Sequence, residues 1–240
     1  MEKREKVTVK GIKGSRHQGA KIVMLTAYDY PFAKIMDEAG VDIVLVGDSL
    51  GNVVLGLPNT RGVTMPDMLH HTRAVARGVK RALLVADVPY RSLSVANARK
   101  LRQAGASAVK VEGITRIKTI KQIVGAGIPV MGHLGYLPQT DPKPAISRSE
   151  SLIGQAKELE KAGAFAIVLE LVEPKLAKKI AESVTIPTIG IGSGKNCAGQ
   201  VLVTYDLLGL SDWSPRFAKK KIDLRRIILR TLREFVAENK

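Results

Sequence analysis

Short apolar runs alternate with longer amphipathic stretches along most of the chain. Runs rich in Val, Ile, Leu and Ala are typical of strands buried in a parallel sheet, and apolar residues at helical spacing indicate helices packed on such a sheet. We predict strands at residues 21–29, 42–49, 82–88, 108–113, 129–135, 165–171, 187–194 and 200–206. Helices are predicted at residues 31–40, 65–78, 95–105, 149–163 and 174–184.

An Ala-Gly pair marks the end of several helices, at residues 39–40, 104–105, 126–127 and 162–163. Glycine directly after a helix takes the left-handed conformation that ends it, and an apolar run follows within a few residues each time. Eight repeated βα units predict an α/β fold, a TIM-type (β/α)₈ barrel, which takes about 250 residues. An open, doubly wound sheet is the alternative. No G-x-G-x-x-G opens a helix after the first run, which counts against a dinucleotide-binding form.

The two ends of the chain differ from this repeat. We predict a single barrel domain over residues 1–240, with a basic N-terminal extension at 1–20 and an amphipathic C-terminal helix at 221–240. Leu224, Ile228 and Leu232 share one face of that helix. We expect this face to pack on the barrel or on another subunit.

Composition and charge narrow the class of protein. The formal net charge is +16, but residues 1–20 carry +4 and residues 214–240 carry +6, so the body is only mildly basic. We therefore do not expect nucleic acid as the primary partner. No apolar run approaches the roughly 20 residues that span a bilayer, and the charged N-terminus lacks the apolar stretch of a signal peptide. We expect no membrane partner and a cytoplasmic location. The single cysteine, Cys197, excludes an internal disulfide and a cysteine-based zinc site.

Acidic residues end three successive apolar runs. Asp48 lies in IVLVGDS, Asp87 in LLVADVP and Glu112 in AVKVEG. Neighbouring strands lie about 4.8 Å apart, so carboxylates at adjacent strand ends can converge on one cation. Ligands that are all oxygen select Mg²⁺, Mn²⁺ or Ca²⁺. The pattern predicts a metal site of Asp48, Asp87 and Glu112.

Strand parity adds a lysine to this site. Lys110 and Glu112 share one face of the fourth run, because side chains alternate along a strand. The pair is either a structural ion pair or an anion-binding lysine beside a metal-binding carboxylate. In the second case the pocket suits a 2-oxo acid, with Lys110 balancing the carboxylate of the substrate and the metal stabilising an enolate.

Two further candidates end the fifth and sixth runs. His133 lies between glycines in GHLG. The sequence does not decide whether this histidine has a structural or a functional role. Glu170 ends IVLE, where it can transfer a proton or form a strand-end salt bridge with a lysine.

Ordered motifs carry a resemblance to a known family. They are TAYDYPFAK, LVGDSLGNVVLG, ADVPY, AVKVEG, VMGHLGYLPQ, IVLE and IPTIGIGSGKNCAGQ, and together with their neighbours they run in order from about residue 7 to residue 220. On these motifs the chain resembles ketopantoate hydroxymethyltransferase. The family transfers a hydroxymethyl group from 5,10-methylenetetrahydrofolate to 3-methyl-2-oxobutanoate, giving 2-dehydropantoate for pantothenate synthesis.

The resemblance implies a role for each candidate residue. It implies that Asp48 and Asp87 bind Mg²⁺ and contact the substrate, with Glu112 completing the metal site through water or directly. Ser49 and Lys110 would then bind the oxo acid. Glu170 would accept the proton, and His133 would line the same pocket. The family also implies a large homo-oligomer, typically a decamer.

The sequence departs from the family pattern mainly in loops. DPKPAISRSES follows GHLGYLPQT where the family has a GGYKVQG-like segment, and the connection after ADVPY is shorter than usual. These changes leave the one-carbon donor open between a tetrahydrofolate and a methanopterin analogue. Two other activities remain as alternatives: a Mg²⁺-dependent carbon–carbon lyase of the phosphoenolpyruvate/isocitrate-lyase type, and a non-catalytic relative that acts through its basic ends.

Overall fold

The computed structural model describes residues 5–15, 21–211 and 214–240. Eight parallel strands close into a barrel in chain order, each paired with the next, which confirms the predicted (β/α)₈ architecture. The strands are β1 (Ile22–Thr26), β2 (Ile43–Val46), β3 (Leu83–Asp87), β4 (Ala108–Glu112), β5 (Val130–Gly135), β6 (Ala166–Glu170), β7 (Thr188–Ile191) and β8 (Gly199–Leu202).

Helices alternate with most of the strands along the chain. They are α1 (Val9–Gly14), α2 (Tyr30–Ala39), α3 (Leu50–Val53), α4 (Met65–Gly78), α5 (Val95–Gln103), α6 (Ile117–Gly125), α7 (Ser151–Lys161), α8 (Pro174–Ser183), α9 (Thr204–Leu208) and α10 (Leu224–Glu238). Gly40 ends α2 with a left-handed backbone, φ 89°. This is the role that the Ala-Gly pairs predict, because only glycine takes that conformation without a Cβ penalty.

Aliphatic side chains from the strands fill the barrel interior. They include Met24, Ile43, Val85 and Met131, each fully buried. Ile12 of α1 joins the same cluster and is 3% exposed. The described part of the N-terminal extension is therefore packed against the barrel at this residue. Burying one Ile side chain stabilises a fold by about 1.5–3 kcal/mol.

The eighth predicted strand, residues 200–206, is wrong at its C-terminal end. The strand stops at Leu202, and α9 begins at Thr204. The stretch QVLVTYDLLGL is largely apolar on both sides of Thr204 and Asp206 and is too short for its periodicity to separate the strand from the helix. Gly209, with a left-handed backbone at φ 64°, ends α9.

The chain divides into two compact units, Met1–Val201 and Leu202–Lys240. The single domain predicted over residues 1–240 therefore stays a prediction. Within the second unit, α10 covers most of the predicted C-terminal helix. Its apolar side chains are exposed, and Leu232 and Phe235 show 57% and 63% of their surface. Among the described residues no helix is both long and apolar enough to cross a membrane.

A capping box starts α4 and gives a first prediction. The backbone N–H of Asp67 donates to Thr64 Oγ1, and the backbone N–H and hydroxyl of Thr64 donate to Asp67 Oδ2 at 2.9 and 2.6 Å. The Thr64 side chain is the main cause of the lowered pKa of Asp67. We expect Thr64→Ala to lower the free energy of unfolding by about 0.5–2 kcal/mol at neutral pH.

The pH dependence of this loss has a definite sign. A carboxyl whose pKa is depressed in the folded state stabilises above its unfolded pKa, and that stability is lost as pH falls through the folded pKa. The difference between Thr64→Ala and the unchanged protein should therefore shrink on acidification, in urea titrations at several pH values. Thr119→Ala, inside α6, is the control. Its free energy of unfolding should stay close to that of the unchanged protein at every pH. Equal stability of Thr64→Ala and the unchanged protein at pH 7 would show that the capping box does not contribute.

Candidate active site

Strand register brings the predicted site residues together. Asp87 of β3 lies opposite Lys110 of β4, and Glu112 of β4 lies opposite His133 of β5. Opposite residues in a parallel pair point to the same side of the sheet. Glu170 ends β6 opposite Gly135. The C-terminal ends of four consecutive strands thus direct their charged side chains into one pocket, as in TIM-barrel enzymes.

Lys110 and Asp87 form a buried ion pair. The Nζ atom lies 2.9 Å from Asp87 Oδ1, and the side chains are 5% and 1% exposed. Burial alone lowers the pKa of Lys110, but attraction to Asp87, Asp48 and Glu112 outweighs it and raises the pKa. Lys110 is therefore a fixed cation among carboxylates. Lys110 thus forms a structural ion pair, but its 2.9 Å partner is Asp87 of the neighbouring strand rather than Glu112 of its own.

His133 bridges two carboxylates. Its Nδ1 lies 3.3 Å from Glu112 Oε1, and its Nε2 lies 3.2 Å from Glu170 Oε2. Burial and the charge of Lys110 lower the pKa of His133, but the two carboxylates outweigh them and raise it to about 9. The imidazole is therefore held between the two carboxylates by charge. Lys110 Nζ lies 3.4 Å from the same Nδ1, so Lys110, His133 and Glu112 form one contiguous cluster.

Asp48 lies where carboxylates outnumber cationic side chains. It lies in the turn after β2, is 7% exposed, and its backbone N–H donates to Asp87 Oδ2 at 2.9 Å. Burial, followed by repulsion from Asp87 and Glu112, raises the pKa of Asp48. Among the described residues its buried Oδ2 has no hydrogen-bond partner. A buried oxygen without a partner costs free energy, so this atom calls for a cation or a donor.

The carboxylates do not form a closed metal cage by themselves. Over residues 5–15, 21–211 and 214–240, no group of three or more His, Cys, Asp or Glu side chains is arranged to hold one metal ion. The oxygens that face the pocket are nonetheless those of a hard cation site. Asp48 Oδ2 is unpaired, and Asp87 Oδ1 and Glu112 Oε1 have only charge contacts with Lys110 and His133. Such a set suits a cation that keeps water and substrate among its ligands.

Ser49 contacts Tyr28, a buried residue that the sequence analysis missed. Its Oγ lies 2.8 Å from the hydroxyl oxygen of Tyr28, which is 2% exposed. Tyr28 is the second residue after β1, so it lies close to the same kind of strand-end position that identified the other candidates. The backbone carbonyl of Tyr28 accepts a hydrogen bond from His71 Nδ1 at 2.6 Å.

A loop after β5 closes over the carboxylates and was also missed. The backbone N–H of Gln139 donates to Glu112 Oε2 at 3.2 Å, and Gln139 Oε1 accepts from the backbone N–H of Tyr90. Arg116 in turn lies over the Tyr90 ring, 4.9 Å from its centroid. Gln139 therefore ties the loops after β3 and β5 to the end of β4. The only sequence signal for it is its place in the GHLGYLPQ motif.

The divergent segment that follows is anchored at both ends. Asp141 Oδ2 accepts from the backbone N–H of Leu137 at 2.8 Å. The backbone N–H of Ser147 donates to the carbonyl of Leu171 at 2.7 Å, and that of Glu173 donates to the carbonyl of Ser147 at 2.9 Å. Leu171, directly after Glu170, has a left-handed backbone at φ 49°. The segment thus braces the strained turn that carries Glu170.

Comparison with known proteins identifies the family. A family model described as ketopantoate hydroxymethyltransferase matches residues 6–240. The chain belongs to this family. It is 51% identical to 3-methyl-2-oxobutanoate hydroxymethyltransferase of Ignicoccus hospitalis, over 98% of this chain and 95% of that protein. It is 53% identical to the enzyme of the same name from Pyrococcus furiosus, over 92% of this chain and 83% of that protein.

Membership in the ketopantoate hydroxymethyltransferase family makes the protein an enzyme, a transferase, and sets aside the non-catalytic alternative. Solved structures show the wider fold. Phosphoenolpyruvate phosphomutase of Streptomyces platensis subsp. rosaceus matches with a TM-score of 0.71 at 13% identity, over 97% of this chain and 88% of that one. Phosphonopyruvate hydrolase, in complex with oxalate and Mg²⁺, matches with a TM-score of 0.66 at 16% identity, over 96% and 86%. Likeness at such low identity concerns the barrel alone, so it does not favour a lyase activity.

Gly135 gives a prediction for the site. Its backbone is left-handed, φ 99°, and a Cβ added there would overlap the carbonyl oxygen of Glu170. We expect Gly135→Ala to destabilise the protein by about 1–3 kcal/mol through backbone strain and to reduce transferase activity, because it displaces Glu170. Thermal unfolding and steady-state turnover measure the two effects. Gly125→Ala is the matched control, since open space surrounds its Cβ position. Full activity and stability of Gly135→Ala would show that this close approach is not required.

Proposed function

We propose that the enzyme transfers a hydroxymethyl group to 3-methyl-2-oxobutanoate, giving 2-dehydropantoate in pantothenate synthesis. The donor would be 5,10-methylenetetrahydrofolate or a methanopterin analogue. The observation that carries the proposal is the buried cluster of Asp48, Asp87, Lys110, Glu112 and His133, with the more accessible Glu170 at its edge. The printed names of the relatives support the substrate. No feature of the described residues chooses between the two donors.

Charge balance supports a divalent cation in this pocket. Four carboxylates face two cationic side chains, Lys110 and His133. We propose Mg²⁺ with Asp48 and Asp87 as direct ligands and Glu112 one water molecule away. The Asp48 oxygen without a partner supports the first ligand, and the lack of a three-residue cage among the described residues supports an arrangement with few protein ligands. When bound, Mg²⁺ acts as a Lewis acid at the keto oxygen of the substrate.

Lys110 and Ser49 would bind the oxo acid. Lys110 is a permanent cation on the pocket floor, and its attraction to an incoming carboxylate gains strength because water is largely excluded. Ser49 lies in the turn next to Asp48 and offers a hydroxyl donor. Together they would fix the substrate carboxylate, so that the C3–H bond is directed away from the floor and toward Glu170.

Glu170 would accept the C3 proton. Its side chain is 18% exposed, more than Asp87, Lys110, Glu112 or His133, so substrate can reach it. The His133 ring, with Nε2 3.2 Å from Oε2, would hold the carboxylate by charge and leave Oε1 to take the proton. The C–H electron pair would then form the bond from C3 to the one-carbon unit. Over the whole transfer both C–N bonds of the methylene bridge would break toward nitrogen, one replaced by this C–C bond and the other by a C–O bond to water. The proton from C3 and one proton of that water would end on the two nitrogens of the donor.

We also propose a homo-oligomer, a decamer by resemblance. The exposed apolar side chains of α10, including Leu232 and Phe235, support association, because large apolar side chains gathered on one helix face favour burial at an interface.

The metal assignment can be tested without any donor. Exchange of the C3 proton of 3-methyl-2-oxobutanoate in D₂O, followed by NMR, should stop on removal of divalent cations and return with Mg²⁺. We expect Asp48→Asn and Asp87→Asn to lower the exchange rate on the order of 100-fold or more. Glu112→Gln should instead raise the Mg²⁺ concentration needed for half-maximal rate by about 10–100-fold, as an outer ligand does.

Glu38→Gln, on the exposed side of α2, is the control for these variants. Exchange at the full rate without divalent cation, or wild-type Mg²⁺ dependence in Asp48→Asn, would refute the proposed metal ligands.

The role of Glu170 has its own test. Glu170→Gln should slow C3 exchange by about 10²–10⁴-fold, because it removes the base, while the Kd for 3-methyl-2-oxobutanoate, measured by calorimetry, stays nearly unchanged. Glu182→Gln, on the exposed face of α8, should behave as the unchanged enzyme. Loss of binding together with loss of exchange in Glu170→Gln would instead assign Glu170 a structural role.

A further inference from the structure

Tyr28 is buried beside the pocket but has no part in the chemistry described so far. It is 2% exposed and is the second residue after β1. Both ends of the residue are anchored. The backbone carbonyl accepts from His71 Nδ1 of α4 at 2.6 Å, and the hydroxyl lies 2.8 Å from Ser49 Oγ. A buried tyrosine held at both ends can fix the position of its hydroxyl closely.

The side chain of Ser49 does not cap the helix that it precedes. It precedes the first residue of α3, where serine normally accepts a hydrogen bond from the helix backbone. Here the side chain makes no such capping bond, and its backbone is already helical, φ −52° and ψ −17°. The Ser49 hydroxyl is directed to Tyr28 instead. The Ser49 side chain therefore contacts Tyr28, next to Asp48, and makes no capping hydrogen bond to α3.

We infer that Tyr28 is a positioning residue that orients Ser49 for binding the carboxylate of the 2-oxo acid. The inference rests on the proposed function, in which Ser49 contacts that carboxylate. A hydroxyl has one proton, so a serine that donates it to an anion can only accept in its contact with Tyr28. In the substrate-bound enzyme Tyr28 O–H would therefore be the donor and Ser49 Oγ the acceptor of the 2.8 Å hydrogen bond.

The direction of this hydrogen bond has an energetic consequence. A hydroxyl that accepts one hydrogen bond becomes a better donor for the next, so the Tyr28–Ser49 pair binds an anion more strongly than an isolated serine. The effect belongs to substrate binding, since neither hydroxyl lies on the path of the proton from C3 to Glu170. Loss of the Tyr28 hydroxyl should therefore change KM rather than kcat.

The experiment compares Tyr28→Phe, Ser49→Ala, the double variant and Tyr30→Phe in the full-length enzyme with Mg²⁺. Tyr30 is the matched control, because it lies two residues further along and is 47% exposed. The readouts are the rate and half-saturation of C3 proton exchange in D₂O, and the Kd for 3-methyl-2-oxobutanoate by calorimetry. The calorimetric stoichiometry counts folded sites, so the Kd stays comparable even if a variant is less stable.

We expect Tyr28→Phe to raise half-saturation and Kd by about three- to tenfold, the effect of one lost hydrogen bond, with the maximal exchange rate within twofold. The double variant should bind no more weakly than Ser49→Ala, because Tyr28 acts through Ser49. Tyr30→Phe should match the unchanged enzyme. Unchanged binding in Tyr28→Phe, or additive losses in the double variant, would overturn the inference while leaving the proposed function intact. Absence of exchange and binding in the unchanged enzyme would overturn the proposed function and this inference with it.

Discussion

The burial of three carboxylates against two cationic side chains, with a fourth carboxylate at their edge, is the constraint on which the rest of the site depends. Asp48, Asp87 and Glu112 lie almost wholly out of water, where an unpaired charge costs several kcal/mol. Lys110 and His133 offset part of this charge, and each contacts a carboxylate. The remainder falls on Asp48, whose pKa is raised by burial and by its acidic neighbours. Because the fold holds more carboxylates than cationic side chains at this place, the site attracts positive charge.

The barrel maintains the arrangement through register rather than through local preference. Asp87, Lys110, Glu112 and His133 face each other because β3, β4 and β5 are paired at fixed positions. A slip of one residue in β4 would turn Lys110 and Glu112 toward the helices and two valines toward the pocket. The buried core of aliphatic side chains from neighbouring strands opposes such a slip, so packing in the barrel interior and charge at its rim specify the same register.

Much of this could be predicted from the sequence. Apolar runs give the eight strands, their ends give the carboxylates, and parity gives Lys110 beside Glu112, since these depend on short-range patterns. The C-terminal end of the eighth run could not be predicted, because a short, largely apolar stretch fits a strand and a short helix equally well. Tyr28 and Gln139 were missed for another reason. Their importance comes from partners far along the chain, Ser49 and Glu112, and no local pattern encodes such contacts.

The anchoring of the loop after β5 has a consequence for how the enzyme can vary. Gln139 and Asp141 fix its beginning, and Ser147 fixes its end. The five residues between Asp141 and Ser147 are all exposed. Because none of these five residues is buried, a change of length or composition there should leave the contacts of Gln139, Asp141 and Ser147 in place. The loop can therefore vary at its tip without disturbing the ends of β4 and β6, to which its own ends are hydrogen-bonded.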